Sequence, residues 1–204
     1  MNRTALIAVD VQNDYLPGGA LGFPNSDRII APLVEYATLA ADVVIISRNL
    51  HPINHESFNH ERDEGDPIYK VGKNYGAWPI NCVKGTPGAK IVSDLAAIAS
   101  RPHNYVVTKS MNRDQGGFSA FEGGTLRPLE SLEDILHREM ITHVAVGGYW
   151  LDWCVAHTAF DANALGYATA IEISCTLPFP EFDTKSVKRS ETYERLSRAG
   201  IPCV

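Results

Sequence analysis

Apolar residues in this chain gather into short continuous runs, separated by stretches in which they recur at helical spacing. Ala5, Leu6, Ile7, Ala8 and Val9 form the first run, which ends on Asp10. Further runs cover residues 42–47, 105–108 (followed by Lys109), 143–146 and 168–173. Such runs, rich in β-branched residues, read as strands buried on both faces. Between the first two, Ile29, Ile30, Leu33, Val34 and Ala37 line one face of a helix predicted over 27–41, opened by Asn25 or Ser26. Helices are also predicted over 91–99 and over 129–139, the latter with Leu129, Leu132, Ile135 and Leu136 inward. After Cys154, Val155, Ala159, Ala162 and Gly166 share a helical face, and a last amphipathic helix spans 184–199. Residues 201–204 read as an edge strand, because Pro202 cannot donate to a ladder. Strands alternating with helices predict an α/β fold, a doubly wound, mostly parallel sheet of about six strands with helices on both faces. No repeat or linker divides the chain, so residues 1–204 read as one domain.

The segments that lack periodicity are long and polar. Residues 48–87 are rich in histidine, and loops of that length inside a compact domain tend to be functional. With 45% hydrophobic and 21% charged residues the chain has the balance of a soluble globule. A net charge of −6 with no basic stripe argues against a nucleic-acid partner. No apolar run approaches membrane-spanning length, and residues 1–4 lead straight into a strand without a secretory signal. Cys82, Cys154, Cys175 and Cys203 are scattered without a CxxC pair, as expected of reduced thiols in a cytoplasmic protein.

Ligands of open α/β sheets bind beyond the carboxyl ends of the strands. Asp10, Lys109 and Cys154 all stand at or just past such ends. Each alone reads as a solvated charge or a buried thiol. Together they suit nucleophilic catalysis, with Cys154 attacking a carbonyl, Lys109 and the helix N-terminus favouring its thiolate, and Asp10 shuttling a proton. No histidine occupies a comparable strand end, which excludes a papain-like pair. A dinucleotide fold would need a Gly-x-Gly-x-x-Gly turn where this chain has Asp10, Val11, Gln12 and Asn13, so no nucleotide cofactor is expected. A phosphoacceptor receiver would need an acceptor aspartate at another strand end, and none is found there.

Six stretches, at residues 9–15, 51–58, 78–86, 108–109, 118–121 and 148–155, closely resemble the isochorismatase-like cysteine hydrolases, and within them the nicotinamidase (pyrazinamidase) group. The resemblance implies an Asp10–Lys109–Cys154 triad and a non-proline cis peptide at Tyr149–Trp150. It also implies an oxyanion hole made by the backbone N–H groups of Trp150 and Cys154. Tyr15, Trp78 and Phe118 would wall the substrate. The implied reaction converts a small carboxamide, nicotinamide first, to its acid and ammonia through a thioester, a step of pyridine nucleotide salvage in NAD metabolism. Tyr149 and Trp150 are bulkier than the family's usual residues on that turn and would narrow the pocket or alter the substrate.

The same resemblance places a divalent metal, zinc or iron, at positions that here read Asn49, His51 and Asn81. Neutral amides are weaker donors than carboxylate or imidazole, so the metal is expected to be held weakly or not at all. His55, His60, Glu61 and Asp63 lie near enough in sequence to rebuild a site, although without a recognised ligand spacing. Alternatively the amide N–H groups of Asn49 and Asn81 would donate to an acceptor atom of the substrate. Two other readings stay open: a metal-independent relative acting on another small amide or ureido compound, and a catalytically silent binding protein. A homo-oligomer is compatible with each.

Overall fold

The computed structural model describes residues 2–58, 78–115, 117–126, 128–179 and 187–204. Five parallel strands form one sheet in the order β3-β2-β1-β4-β5, built from β1 (Thr4–Val9), β2 (Val43–Asn49), β3 (Tyr105–Lys109), β4 (His143–Tyr149) and β5 (Ala168–Leu177). The helices are α1 (Ile30–Leu39), α2 (Ser93–Ala99), α3 (Leu132–Arg138), α4 (Ala156–Ala164) and α5 (Val187–Arg198). The sheet has five strands rather than about six. Residues 201–204 add only an isolated parallel bridge, Ile171 to Cys203, along the outer edge of β5. Ile171 N donates to Pro202 O at 2.9 Å and Ile173 N to Val204 O at 2.7 Å, while Pro202 itself donates nothing.

β1 occupies the centre, and its residues Ala5 to Val9 are wholly buried. Because side chains alternate along a strand, Ala5, Ile7 and Val9 enter one core with α3 and α4. Leu6 and Ala8 enter the other core with α1 and α2. The small face of α4 packs as its spacing requires: Val155, Ala159 and Ala162 have no exposed surface. Leu129 does not turn inward. It precedes the α3 N-cap Ser131 and is 86% exposed, because a residue outside the helix has no helical face to share. Gly148, on β4, meets β1 so closely that a Cβ would lie 2.1 Å from Val9 O, and its φ is +119°.

The chain winds from β1 through β2 to β3 on one side, then crosses to β4 and β5 on the other. The strand order therefore reverses between β1 and β4, and the loops beyond those two strands diverge to leave a crevice. No helix among the described residues is long and apolar enough to cross a membrane.

Candidate active site

Asp10, Lys109 and Cys154 meet in that crevice. Asp10 directly follows β1 with a left-handed backbone (φ 54°) and has no exposed surface. Lys109 ends β3, two strands away, or about 9–10 Å at ordinary strand spacing. Only a long side chain crosses that gap. The Lys109 arm does so, placing Nζ 2.9 Å from Asp10 Oδ2 and 3.5 Å from Cys154 Sγ. Nζ also donates to Phe118 O at 2.8 Å and Gly117 O at 3.3 Å.

Cys154 follows the cis Tyr149–Trp150 peptide, in a wide π-type turn over Leu151–Val155 that leads into α4. The turn departs from helix at Trp153 (φ −128°, ψ −106°), so Cys154 stands on a break rather than in a regular first turn. Thr158 Oγ1 donates to Cys154 O at 2.7 Å and accepts from Ala120 N at 3.0 Å. That bond ties the turn to the loop carrying Phe118.

Burial pushes the Cys154 thiol up, and Asp10 adds to this, while the Lys109 charge pulls the other way. The sequence favoured a depressed value. In the folded site burial wins, because a thiolate would be a second buried anion beside a carboxylate already paired with the Lys109 ammonium. Lys109 stays charged: burial opposes its charge, but Asp10 and Cys154 raise it further.

The carboxylate of Asp10 is held by more than lysine. Ser47 Oγ donates to Oδ1 at 2.7 Å and Asn49 Nδ2 to Oδ2 at 3.0 Å. Asn49 Nδ2 also donates to Tyr15 Oη at 3.1 Å, and its Oδ1 accepts from Ser110 Oγ at 3.1 Å. Gln12 fixes this residue from behind: its amide donates to Asn49 O and accepts from Asn49 N, each at 2.8 Å. Ser47, Ser110 and Gln12 were not singled out in the sequence. Polar residues at strand ends carry no signal of their own until the register aligns Asn49 with Lys109.

The cavity above the triad is lined by Tyr15, Trp78 and Phe118, the three expected walls, and also by Trp150 and Trp153. Its volume is about 60 Å³, where a single water needs about 10–15 Å³. Phe118 and Trp153 rings lie 5.0 Å apart, and Trp78 meets Trp153 edge-on at 5.2 Å. Trp150 lines the pocket. Tyr149 does not, since it stacks on Tyr15 at 5.4 Å within the core and donates to Ser26 O at 2.6 Å.

His51 and Asn81 also line this cavity, with Asn49 beside Asp10. These residues do not fit a resident transition metal. Both polar atoms of the Asn49 side chain already have partners and its Nδ2 faces Asp10, so it offers a metal only the remaining lone pair of a neutral amide oxygen, a weak donor. His55 is also committed, with Nδ1 2.7 Å from Ser57 Oγ and Nε2 3.0 Å from Gln115 O. No group of three or more His, Cys, Asp or Glu among the described residues could hold a metal ion. His60, Glu61 and Asp63 lie outside the described residues. Burial lowers the His51 pKa to about 4, so its ring is neutral near pH 7.

The fold recurs in known proteins. The chain is 35% identical over 174 residues to the nicotinamidase of Escherichia coli, covering 82% of this chain and 79% of that one. It superposes on the yeast nicotinamidase with a TM-score of 0.81 at 26% identity, covering 98% and 99% of the two chains. The pyrazinamidase of Pyrococcus horikoshii, solved in complex with zinc, gives a TM-score of 0.75 at 30% identity over 99% and 98%. The model of the Isochorismatase domain matches residues 4–189, and the chain belongs to that family.

Proposed function

We propose that this protein is a cysteine amidohydrolase of the nicotinamidase type, converting a small carboxamide, nicotinamide first, to its acid and ammonia. The observation that carries this reading is the buried array of Asp10, Lys109 and Cys154 beneath an aromatic-walled cavity. Asp10 accepts the thiol proton as sulfur attacks the carbonyl carbon, so the thiolate forms only as the C–S bond does. The carbonyl oxygen, taking the electron pair, is met by the N–H groups of Trp150 and Cys154. Asp10 then returns the proton to the amide nitrogen, the C–N bond breaks and ammonia leaves. Water attacks the thioester with Asp10 again as base, and the sulfur departs and recovers the proton. Lys109 keeps its charge throughout and balances whichever of the carboxylate, thiolate or oxyanion is negative. In this reading the product enters pyridine nucleotide salvage.

Ammonia release from nicotinamide, with Cys154→Ala as control, tests the proposal. Release by both proteins at the same rate, or by neither on any small amide, refutes it.

A further inference from the structure

The part of the cavity wall formed by Asn49, His51 and Asn81 has a hydrogen-bond polarity opposite to the one its two asparagines suggest. Sequence alone allows their N–H groups to donate to a substrate acceptor. In the fold both amide nitrogens are engaged by the protein itself. Asn49 Nδ2 donates to Asp10 and Tyr15. Asn81 Nδ2 donates to Pro79 O at 2.8 Å. A carbonyl only accepts, so this contact fixes which end of the Asn81 amide is which. What remains is Asn81 Oδ1, an acceptor on a residue only 4% exposed, buried with no hydrogen-bond partner among the described residues. Buried acceptors are rarely left in that state, and one on a cavity wall calls for a donor from the occupant.

His51 has the same polarity. Its Nδ1 lies 2.9 Å from the backbone oxygen of Asn81. The hydrogen of the neutral ring must therefore sit on Nδ1, and Nε2 carries a lone pair. Two neutral acceptors without a carboxylate make a poor metal site, but they suit an N–H or O–H group. A bare ring nitrogen placed against them would set lone pair against lone pair.

We propose that this wall selects substrates with a hydrogen-bond donor on the side of the ring away from the carboxamide, accepted by Asn81 Oδ1 with His51 beside it. This rests on the amidase reading above for the orientation of the carboxamide but displaces nicotinamide, whose ring nitrogen only accepts, as the first substrate: the class it names is small carboxamides carrying a distal N–H or O–H. The competing contact is Trp150 Nε1, a buried donor that likewise has no hydrogen-bond partner among the described residues and sits between Phe23, Phe179 and Tyr15; it would favour an acceptor ring instead.

Calorimetric binding to chelator-treated Cys154→Ala protein decides between them. The probes are 1H-pyrrole-3-carboxamide (a ring donor), benzamide (neither) and nicotinamide (a ring acceptor). The donor probe is expected to bind at least about tenfold tighter than nicotinamide, because a site built around a buried polar group discriminates against ligands that leave it unpaired. Adding Asn81→Leu should collapse the difference to about twofold. Nicotinamide binding as tightly as the pyrrole or tighter overturns the proposal and assigns recognition to Trp150. So does a preference that survives in folded Asn81→Leu protein, or a tight zinc complex that restores nicotinamide. The first comparison needs no change at Asn81, so it stands even if that variant misfolds. Ammonia release by wild-type protein from the same three amides is read separately. Release from nicotinamide without the binding preference refutes only the wall. A preference without release from any amide supports the wall and refutes the amidase reading.

Discussion

Exchanging Asn49 for aspartate replaces an N–H donor by an oxygen about 3 Å from Asp10 Oδ2. Two carboxylates whose charge centres are about 4 Å apart repel by about 4 kcal/mol at an effective dielectric constant near 20. The alternative is to bind a proton. At pH 7, against an ordinary aspartate value near 3.9, that costs about 3 units, again about 4 kcal/mol. The two routes are equal in scale, so Asn49→Asp should lose about 4 kcal/mol of stability at pH 7. The sign with pH follows from linkage. The pair holds a proton in the folded state that the unfolded chain releases, so the penalty grows as pH rises above about 4 and shrinks by about 1.4 kcal/mol for each unit of acidification. Once protonated, the introduced carboxyl also donates to Asp10 again, so kcat/KM should recover toward acid. Asn49→Ala lacks the new charge and should show a penalty of about 1.5–3 kcal/mol with little pH dependence. Urea unfolding and ammonia release at pH 5 and pH 7 measure both variants. Equal pH dependence in the two would refute the reasoning. Stabilisation of Asn49→Asp by added zinc would show instead that position 49 is a metal ligand that has lost its charge.

Three further outcomes follow from the site. With its thiol pushed up by burial, Cys154 should be alkylated by iodoacetamide more slowly than free cysteine at pH 8, with the rate still climbing above pH 9; labelling as fast as the free amino acid would contradict this. Lys109→Met leaves Asp10 buried without its cation and should cost about 3–5 kcal/mol as well as turnover, read by chemical denaturation and ammonia release; an unchanged unfolding midpoint would count against the pair. Gly148→Ala drives a Cβ to 2.1 Å from Val9 O, so the protein should be insoluble or lose at least about 3 kcal/mol, and a wild-type melting temperature would show that β1 and β4 can part.

The sheet and the residues that meet in the crevice were legible in sequence. Asp10 and Lys109 directly follow apolar runs and so mark both the fold and the crevice, whereas Cys154 is marked by the apolar run 143–146 before it and the helical spacing of small residues after it. The polarity of the wall formed by Asn49 and Asn81 was not legible. An asparagine carries a donor and an acceptor, and Ser110, Tyr15 and Pro79 decide which one faces the cavity; they lie 61, 34 and 2 residues from the asparagine they engage. The same holds for the thiol. Sequence shows the cation near Cys154, but the degree of burial that outweighs it belongs to the whole packed crevice. β5 runs on to Leu177 because its pairing with β4 shifts register between Val146 and Gly148, an irregularity no local pattern announces.

The short pairing of residues 201–204 with β5 matters for colloidal behaviour more than for chemistry. β5 is an edge strand, and the N–H groups of Ile171 and Ile173 would otherwise stand unpaired along a ribbon of backbone. An open edge of this kind is a template on which another molecule's strand can dock. A chain stopped at Gly200 would keep its crevice but offer that ribbon to its neighbours. It should gather into concentration-dependent aggregates visible by light scattering, while the monomer that remains still turns over its amide.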